Sequence, residues 1–158
     1  MTTRGDPTKR ARATAPNFAE MSAEAARALL AGSHMGRLAF SFHDRVDIQP
    51  INYVFEDGWI IARTQVGGKL STLAHHPWCA FEVDAVRGLF DWDSVVARGS
   101  FHILDPELGS ADRYESALAA LRRLIPDTFS AADPTPQRSI IVGVYVEEIT
   151  GRTARPAA

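Results

Sequence analysis

The chain has 158 residues, of which 46% are apolar and 23% charged, and this composition suits one domain with a hydrophobic core. Its formal net charge of -2 gives no reason to expect a nucleic acid or an anionic membrane as a partner. The single cysteine, Cys79, excludes an internal disulfide and a multi-cysteine zinc site. Because Cys79 lies in an apolar run, we interpret it as a buried structural thiol and not as a nucleophile.

The two ends of the chain differ in composition from its middle. Residues 1–16 are polar and basic, and we expect a disordered arm there. A folded domain is predicted over residues 17–151, with residues 152–158 as a C-terminal tail. No stretch is apolar and long enough to span a membrane, and the N-terminus lacks the apolar region of a signal peptide. We therefore expect a cytoplasmic protein.

The hydrophobic pattern changes its period along the first half of the chain. A helix is predicted from the capping residue Ser22 to about residue 31, and the pattern after it alternates as in strands. Three strands are predicted over residues 36–42, 46–55 and 59–64. The Asp57-Gly58 pair between the last two is typical of a two-residue hairpin turn. A short helix over residues 70–75 follows.

The second half continues the same alternation of strands with inserted helices. Strands are predicted over residues 78–83 and 94–104, followed by a helix over 111–124, a loop over 126–137 and a last strand over 140–149. The sum is six strands, many of them joined by connections of hairpin length. This organisation favours a mainly β fold, an antiparallel barrel with inserted helices, over a parallel sheet.

Residues 63–69 read Arg-Thr-Gln-Val-Gly-Gly-Lys and join a predicted strand to a predicted helix. Arg63 and Lys69 are cationic donors, Thr64 adds a hydroxyl, and glycines let backbone N–H groups approach an anion. The start of a helix adds unpaired N–H groups. The spacing fits neither the P-loop nor the dinucleotide fingerprint. These residues alone leave two interpretations open: a phosphate site, or a glycine-containing turn with solvated charges.

Two other groups of polar residues suggest chemistry less strongly. His75 and His76 are adjacent, so they do not face one way on a helix, and an interaction with the helix C-terminal dipole is favoured over a metal or haem ligand. Asp91 and Asp93 share one side of an extended chain, as an acid–base pair could, but a solvated loop is the better interpretation. The sequence therefore assigns no catalytic residue and no metal site.

Four segments occur in a characteristic order: Gly-Arg-Leu-Ala-Phe at 36–40, Pro-Ile-Asn-Tyr at 50–53, the residues 63–70, and Trp-Asp-Ser-Val-Val-Ala-Arg-Gly at 92–99. With these segments the chain resembles the pyridoxamine 5′-phosphate oxidase-like family, and within it the branch that includes nitroimidazole-resistance proteins. The resemblance covers about residues 21–149. It implies a split β-barrel that forms a homodimer, with FMN bound in a cleft between the subunits.

The resemblance also implies which residues contact the cofactor. Along the isoalloxazine ring it places Pro50, Ile51, Asn52 and Tyr53. At the phosphate and ribityl end it places Arg63, Thr64, Lys69 and Leu70. Near the cofactor and the dimer cleft, from either subunit, it places Trp92, Ser94 and Val95.

The activity implied is that of a flavin-dependent oxidoreductase, which passes electrons from a reduced nicotinamide to a small acceptor such as a nitro compound or a quinone. The alternative is a non-catalytic flavin, deazaflavin or haem binding or carrier protein, because members of the wider family use those cofactors. The Arg and His pattern with which pyridoxamine phosphate oxidases bind their substrate is not found around residues 151–158. We therefore expect a reaction other than vitamin B6 oxidation.

Overall fold

The computed structural model describes residues 15–109 and 111–158. Residues 1–14 of the predicted arm and Ser110, which precedes the third helix, lie outside the described residues. In chain order the elements are β1 (Asn17–Glu20), α1 (Ala23–Gly32), β2 (Met35–Phe42), β3 (Arg45–Glu56), β4 (Trp59–Thr64), α2 (Gly68–His75), β5 (Trp78–Gly88), β6 (Asp91–Leu104), α3 (Ala111–Leu124) and β7 (Ile140–Arg155).

The strands form one antiparallel sheet in the order β1-β7-β4-β3-β2-β5-β6, and β6 also pairs with β7. This last pairing closes the six strands β2 to β7 into a barrel. The predicted six-stranded antiparallel barrel is therefore confirmed. The seventh strand, β1, pairs with the end of β7, and its four residues are too short a run for the sequence pattern to have indicated it.

The strands β6 and β7 are both longer than predicted. The β6–β7 ladder runs from the pair Trp92–Ala154 to the pair Leu104–Ile141. Residues 152–155, which were assigned to the C-terminal tail, are therefore a continuation of β7. The sequence pattern did not indicate a strand here, because polar and small residues alternate without large apolar ones. Backbone pairing with β1 on one edge and with β6 on the other forms the strand.

The β3–β4 hairpin positions the candidate phosphate segment. Asp57 and Gly58 both have positive φ, 52° and 81°, as the predicted two-residue turn requires. The turn sets the register, so that Arg63 and Thr64 end β4 directly opposite the first two residues of β7. The loop of residues 125–139, which precedes β7, consequently lies beside the end of β4.

The core fills the barrel interior, where Tyr53, Phe81 and Leu73 are the largest fully buried side chains together with Leu30 of α1. A second apolar cluster joins α3 to the outer face of β4 and β7 through residues that include Leu121. Within the described ranges, no helix combines the length and the hydropathy that crossing a membrane demands.

Candidate functional site

A polar pocket of about 360 Å³ opens beside the segment 63–69, and we refer to it as the Lys69 pocket. The strands β3 and β4 with the loop after β4 supply Gln49, Pro50, Ile51, Arg63, Thr64 and Gln65, and the remaining lining residues are Lys69, Gln137 and Arg138. The structure thus brings together five of the residues proposed from sequence. None of the lining residues is a carboxylate.

A larger pocket of about 580 Å³ lies between β1, α1 and β7. It is lined by two carboxylates, Glu20 and Glu148, and by two guanidinium groups, Arg98 and Arg152. These charges balance each other, whereas the smaller Lys69 pocket carries an excess of positive charge. We therefore take the Lys69 pocket as the candidate site for an anionic ligand.

Lys69 is the second residue of α2, and the helix begins after Gly67 without a capping side chain. The N–H groups of the first turn consequently have no side-chain acceptor. Burial lowers the pKa of Lys69, nearby Arg138 lowers it further, and only Asp47 raises it. Two cations beside an uncapped helix N-terminus form an arrangement that an anion stabilises.

Arg63 lines the pocket but is only 6% exposed, and its guanidinium is bound by the loop 125–139. Its terminal nitrogens donate to the Asp133 carboxylate at 2.6 and 3.2 Å and to the hydroxyl and carbonyl oxygens of Thr135. Its Nε donates to the carbonyl oxygen of Arg138 at 2.8 Å. A guanidinium has five N–H donors, and these contacts use all of them. Arg63 therefore fastens the loop 125–139 to β4.

Arg138 is a site residue that the sequence interpretation missed. It stands at the end of the loop 125–139, and its backbone N–H donates to the Thr135 carbonyl at 3.0 Å. One signal was available in the sequence. A buried Arg63 needs a carboxylate partner, and the loop contains Asp127 and Asp133.

The residues proposed to line the ring and the ribityl chain do not all meet in the pocket: some lie in the core, and Asn52 is exposed outside both. Tyr53 is fully buried, and its hydroxyl donates to the Leu30 carbonyl. Burial raises the pKa of the Tyr53 phenol to about 12. Asn52 donates to the His34 carbonyl at 3.3 Å, and Leu70 packs against the core. Only Pro50 and Ile51 of the segment 50–53 line the Lys69 pocket.

The segment 92–95 lies on β6, which β2 and β5 separate from β3. Val95 is fully buried in the core, and the Ser94 hydroxyl donates to Glu82 at 3.0 Å. The Trp92 ring packs at 6.3 Å from the ring of Phe18. Within one chain, the structure does not bring these three residues to the Lys69 pocket.

Asp91 and Asp93 belong to an ion-pair network and not to a solvated loop. Arg87 and Arg155 contact Asp93 at 3.0 and 2.7 Å, and both also contact Asp91. Burial alone would raise the pKa of Asp93, but the hydrogen bonds from Arg155 and Arg87 hold it below its usual value. The network ties the β5–β6 hairpin to the end of β7, and it leaves neither carboxylate placed for acid–base chemistry.

The remaining candidates have structural roles. His75 lies in the last turn of α2 with its Nδ1 2.8 Å from the Ser71 carbonyl. Cys79 is buried, and burial raises the pKa of its thiol to about 12, so it is not a reactive nucleophile. In the part of the chain that the structure describes, no group of three or more His, Cys, Asp or Glu side chains is arranged to hold a metal ion.

Solved structures that share the fold include the following three. An FAD-binding protein from Mesorhizobium loti superposes with a TM-score of 0.71 at 22% identity, covering 87% of this chain and 99% of that one. A protein from Bacteroides thetaiotaomicron, described there as a candidate 5-nitroimidazole antibiotic resistance protein, has a TM-score of 0.67 at 15% identity and 89% coverage of both chains. A heme binding protein from Mycobacterium smegmatis has a TM-score of 0.64 at 15% identity, covering 83% of this chain and 56% of that one.

Sequence comparison identifies the family. The uncharacterized protein Rv0080 of Mycobacterium tuberculosis is 27% identical over 140 residues, which cover 84% of this chain and 88% of that protein. A family model described as pyridoxamine 5′-phosphate oxidase matches residues 22–153. That match runs from α1 nearly to the end of β7, and the split-barrel fold of the structural neighbours agrees with it. The chain belongs to the pyridoxamine 5′-phosphate oxidase family.

Proposed function

We propose that this protein binds FMN and acts as an oxidoreductase, passing electrons from a reduced nicotinamide to a small acceptor such as a nitro compound or a quinone. One observation carries the proposal. Lys69 and Arg138 line the same pocket at the uncapped start of α2, and no carboxylate lines it with them. Because a structural neighbour of this fold is an FAD-binding protein, we take the anion to be the phosphate of a flavin nucleotide.

The Lys69 pocket suits a terminal phosphate. A phosphate monoester carries about two negative charges at neutral pH, which two cations and free N–H groups match. The diphosphate of FAD spreads a similar total charge over two linked groups, whereas both cations of this pocket lie beside one helix start, and we therefore favour the single phosphate of FMN. Lys69, Arg138 and the first turn of α2 would hold the phosphate. Pro50 and Ile51 would begin the surface on which the ring lies.

The flavin supplies the redox chemistry when it is bound, and the protein orients it and excludes water. This division agrees with the lining of the Lys69 pocket, which includes no Cys, His, Asp or Glu side chain. We place the protein in the cytoplasm, where reduced nicotinamides are available as electron donors.

We further propose that the working unit is a homodimer. The outer face of β2, β3 and β5 exposes three large apolar side chains: Val46 at 79%, Ile48 at 62% and Trp78 at 54%. The paired residues Ala39 and Ala80 lie between them, and neither has a large side chain. An apolar surface of this kind beside a ligand pocket is typical of an interface. A second copy on this face could bring its own segment 92–95 towards the pocket.

The first test is the absorbance spectrum of the purified protein, followed by fluorescence titration of the cofactor-free protein with FMN, FAD and riboflavin. We expect a flavin spectrum and tighter binding of FMN than of FAD or riboflavin. Protein that shows no flavin band and binds none of the three ligands would refute the proposal. Steady-state oxidation of a reduced nicotinamide with nitro compounds and quinones then separates an enzyme from a carrier.

Haem is the second candidate, since a structural neighbour is a heme binding protein. The Lys69 pocket gives it less support than it gives a flavin. Haem iron is held in proteins by axial His, Cys, Met or Tyr ligands, and none of these residue types lines the pocket. A deazaflavin coenzyme fits the same cations, and its absorbance band would distinguish it from FMN in the same spectrum.

A further inference from the structure

The loop 125–139 is organised around one buried carboxylate. The Asp133 side chain is 2% exposed and its partner Arg63 is 5% exposed. Besides the guanidinium, Asp133 accepts the backbone N–H groups of Phe129 at 2.8 Å and of Thr135 at 2.9 Å. The Phe129 ring covers Arg63, with its centroid 4.6 Å from the guanidinium carbon. The ion pair is therefore fully hydrogen-bonded, which a buried pair requires.

The same guanidinium fixes the backbone that carries Arg138. Its Nη2 donates to the Thr135 carbonyl at 3.1 Å, and its Nε donates to the Arg138 carbonyl at 2.8 Å. Arg63 thus holds the loop at both ends of the short segment between Asp133 and Arg138. Arg138, held in this way, lines the Lys69 pocket together with Lys69 of α2.

The Arg138 guanidinium, unlike that of Arg63, has donors that no other side chain uses in the described residues. Over residues 15–109 and 111–158, the Arg138 side chain makes no hydrogen bond or ion pair with another side chain, and neither does Lys69. The two cations are close enough for Arg138 to lower the pKa of Lys69. Two like charges that face one pocket, with no carboxylate among its lining residues, are typical of an anion site. Asp47 partly offsets the effect of Arg138 on Lys69, but it does not line the pocket.

We infer that Arg138 is the second phosphate-binding cation of the Lys69 pocket, and that the buried Arg63–Asp133 pair is a positioning element that holds it there. This inference deepens the proposed function and rests on it for the identity of the ligand. Arg63 is then not itself a phosphate ligand. Turning its donors towards a ligand would leave Asp133 as a buried charge without a partner.

The first experiment compares FMN with riboflavin, which lacks the phosphate. Arg138→Gln and Lys69→Gln should each weaken FMN binding roughly tenfold or more, the usual effect of losing one charge-assisted hydrogen bond. Riboflavin affinity should change less than about twofold, since its ring contacts are kept. The matched control is Arg123→Gln, which removes an exposed arginine of α3 that pairs with Glu56 at the end of β3. Equal FMN affinity in R138Q and the wild type would overturn the inference.

The second experiment tests whether Asp133 acts through Arg138. Asp133→Asn should lower the preference for FMN over riboflavin, and it should add nothing to that loss in the R138Q background. If D133N lowers the preference for FMN over riboflavin by the same factor in the wild type and in R138Q, the Arg63–Asp133 pair does not position Arg138. If D133N does not fold, Arg63→Lys replaces it in the same cycle. Lysine keeps the charge beside Asp133 but cannot reach the Thr135 and Arg138 carbonyls together.

A third measurement separates this inference from the proposed function. Inorganic phosphate is titrated against the melting temperature of the cofactor-free protein. If no flavin binds but phosphate stabilises the wild type more than R138Q, then the flavin proposal fails and the two-cation site stands. Equal stabilisation of the two chains by phosphate would overturn the site itself.

Discussion

The Asp133 carboxylate lies 2.6 Å from the Arg63 guanidinium, and both side chains are almost completely buried. The hydrogen bonds from Arg63 hold the pKa of Asp133 well below its ordinary value of 3.8. The unfolded chain therefore binds a proton at this residue more readily than the folded chain. The stability that the pair contributes is present above the ordinary pKa and is lost as the pH falls below it.

This difference predicts how Asp133→Asn changes acid unfolding. The wild type should lose unfolding free energy between about pH 5 and pH 2, and D133N should show a flatter dependence over that range. Urea unfolding at a series of pH values measures both slopes. The control is Asp44→Asn, at an exposed aspartate in the turn after β2. Parallel slopes in D133N and the wild type would mean that Asp133 does not carry the acid sensitivity.

The pH dependence of FMN affinity follows from the interaction between Lys69 and Arg138. Burial and Arg138 lower the pKa of Lys69 from 10.5, so its charge is lost at a lower pH than that of an ordinary lysine. FMN affinity should therefore begin to fall at an alkaline pH that is below 10.5, the ordinary pKa of lysine. In R138Q the fall should move to higher pH, because the neighbouring charge is gone.

Riboflavin provides the reference for this titration, because it shares the ring of FMN but lacks the phosphate that Lys69 would contact. The measured quantity is the ratio of the two dissociation constants at each pH, which cancels any titration of the flavin ring. A ratio that stays constant through the alkaline range in the wild type would show that Lys69 does not bind the phosphate.

Ile48→Asp tests the proposed homodimer. Ile48 is 62% exposed on the apolar face, and a carboxylate buried there without a partner would oppose association. Light scattering after size-exclusion chromatography should give a dimer for the wild type and a monomer for I48D. Leu108→Asp is the control, since Leu108 is 87% exposed in the loop before α3 and lies away from this face. A monomeric wild type would end the dimer proposal.

The barrel could be predicted from sequence because its signals are local. The Asp57-Gly58 turn and the alternating strands are each determined by residues a few positions apart. The role of Arg63 could not be predicted in the same way. A strand-end arginine beside glycines suits a phosphate, and only the long-range approach of Asp133 shows that its donors are already used. Arg138 was missed for the same reason, since its place in the pocket depends on that contact.

The segment 36–40 contributed to the family resemblance, and in the structure its first residue, Gly36, packs directly against the ring of Phe81. A Cβ on Gly36 would lie 2.2 Å from the ring of Phe81, and 2.9 Å from the Glu82 carbonyl oxygen. Phe81 is 1% exposed in the core, so its ring has no free space to move into. Gly36→Ala should therefore destabilise the fold by about 1–3 kcal/mol, the usual cost of overpacking.

Urea unfolding of G36A measures this loss, and Gly32→Ala is the matched control. A Cβ on Gly32 meets nothing within 4 Å, so G32A should be neutral or slightly stabilising.

A second change tests the cause: Phe81→Leu removes the ring that the new methyl group would strike. In the wild-type background F81L should destabilise the fold, and in G36A it should cost less, because the clash with the ring is removed while only the close approach to the Glu82 carbonyl remains. If the effects of G36A and F81L simply add, the contact with Phe81 is not what requires glycine at this position.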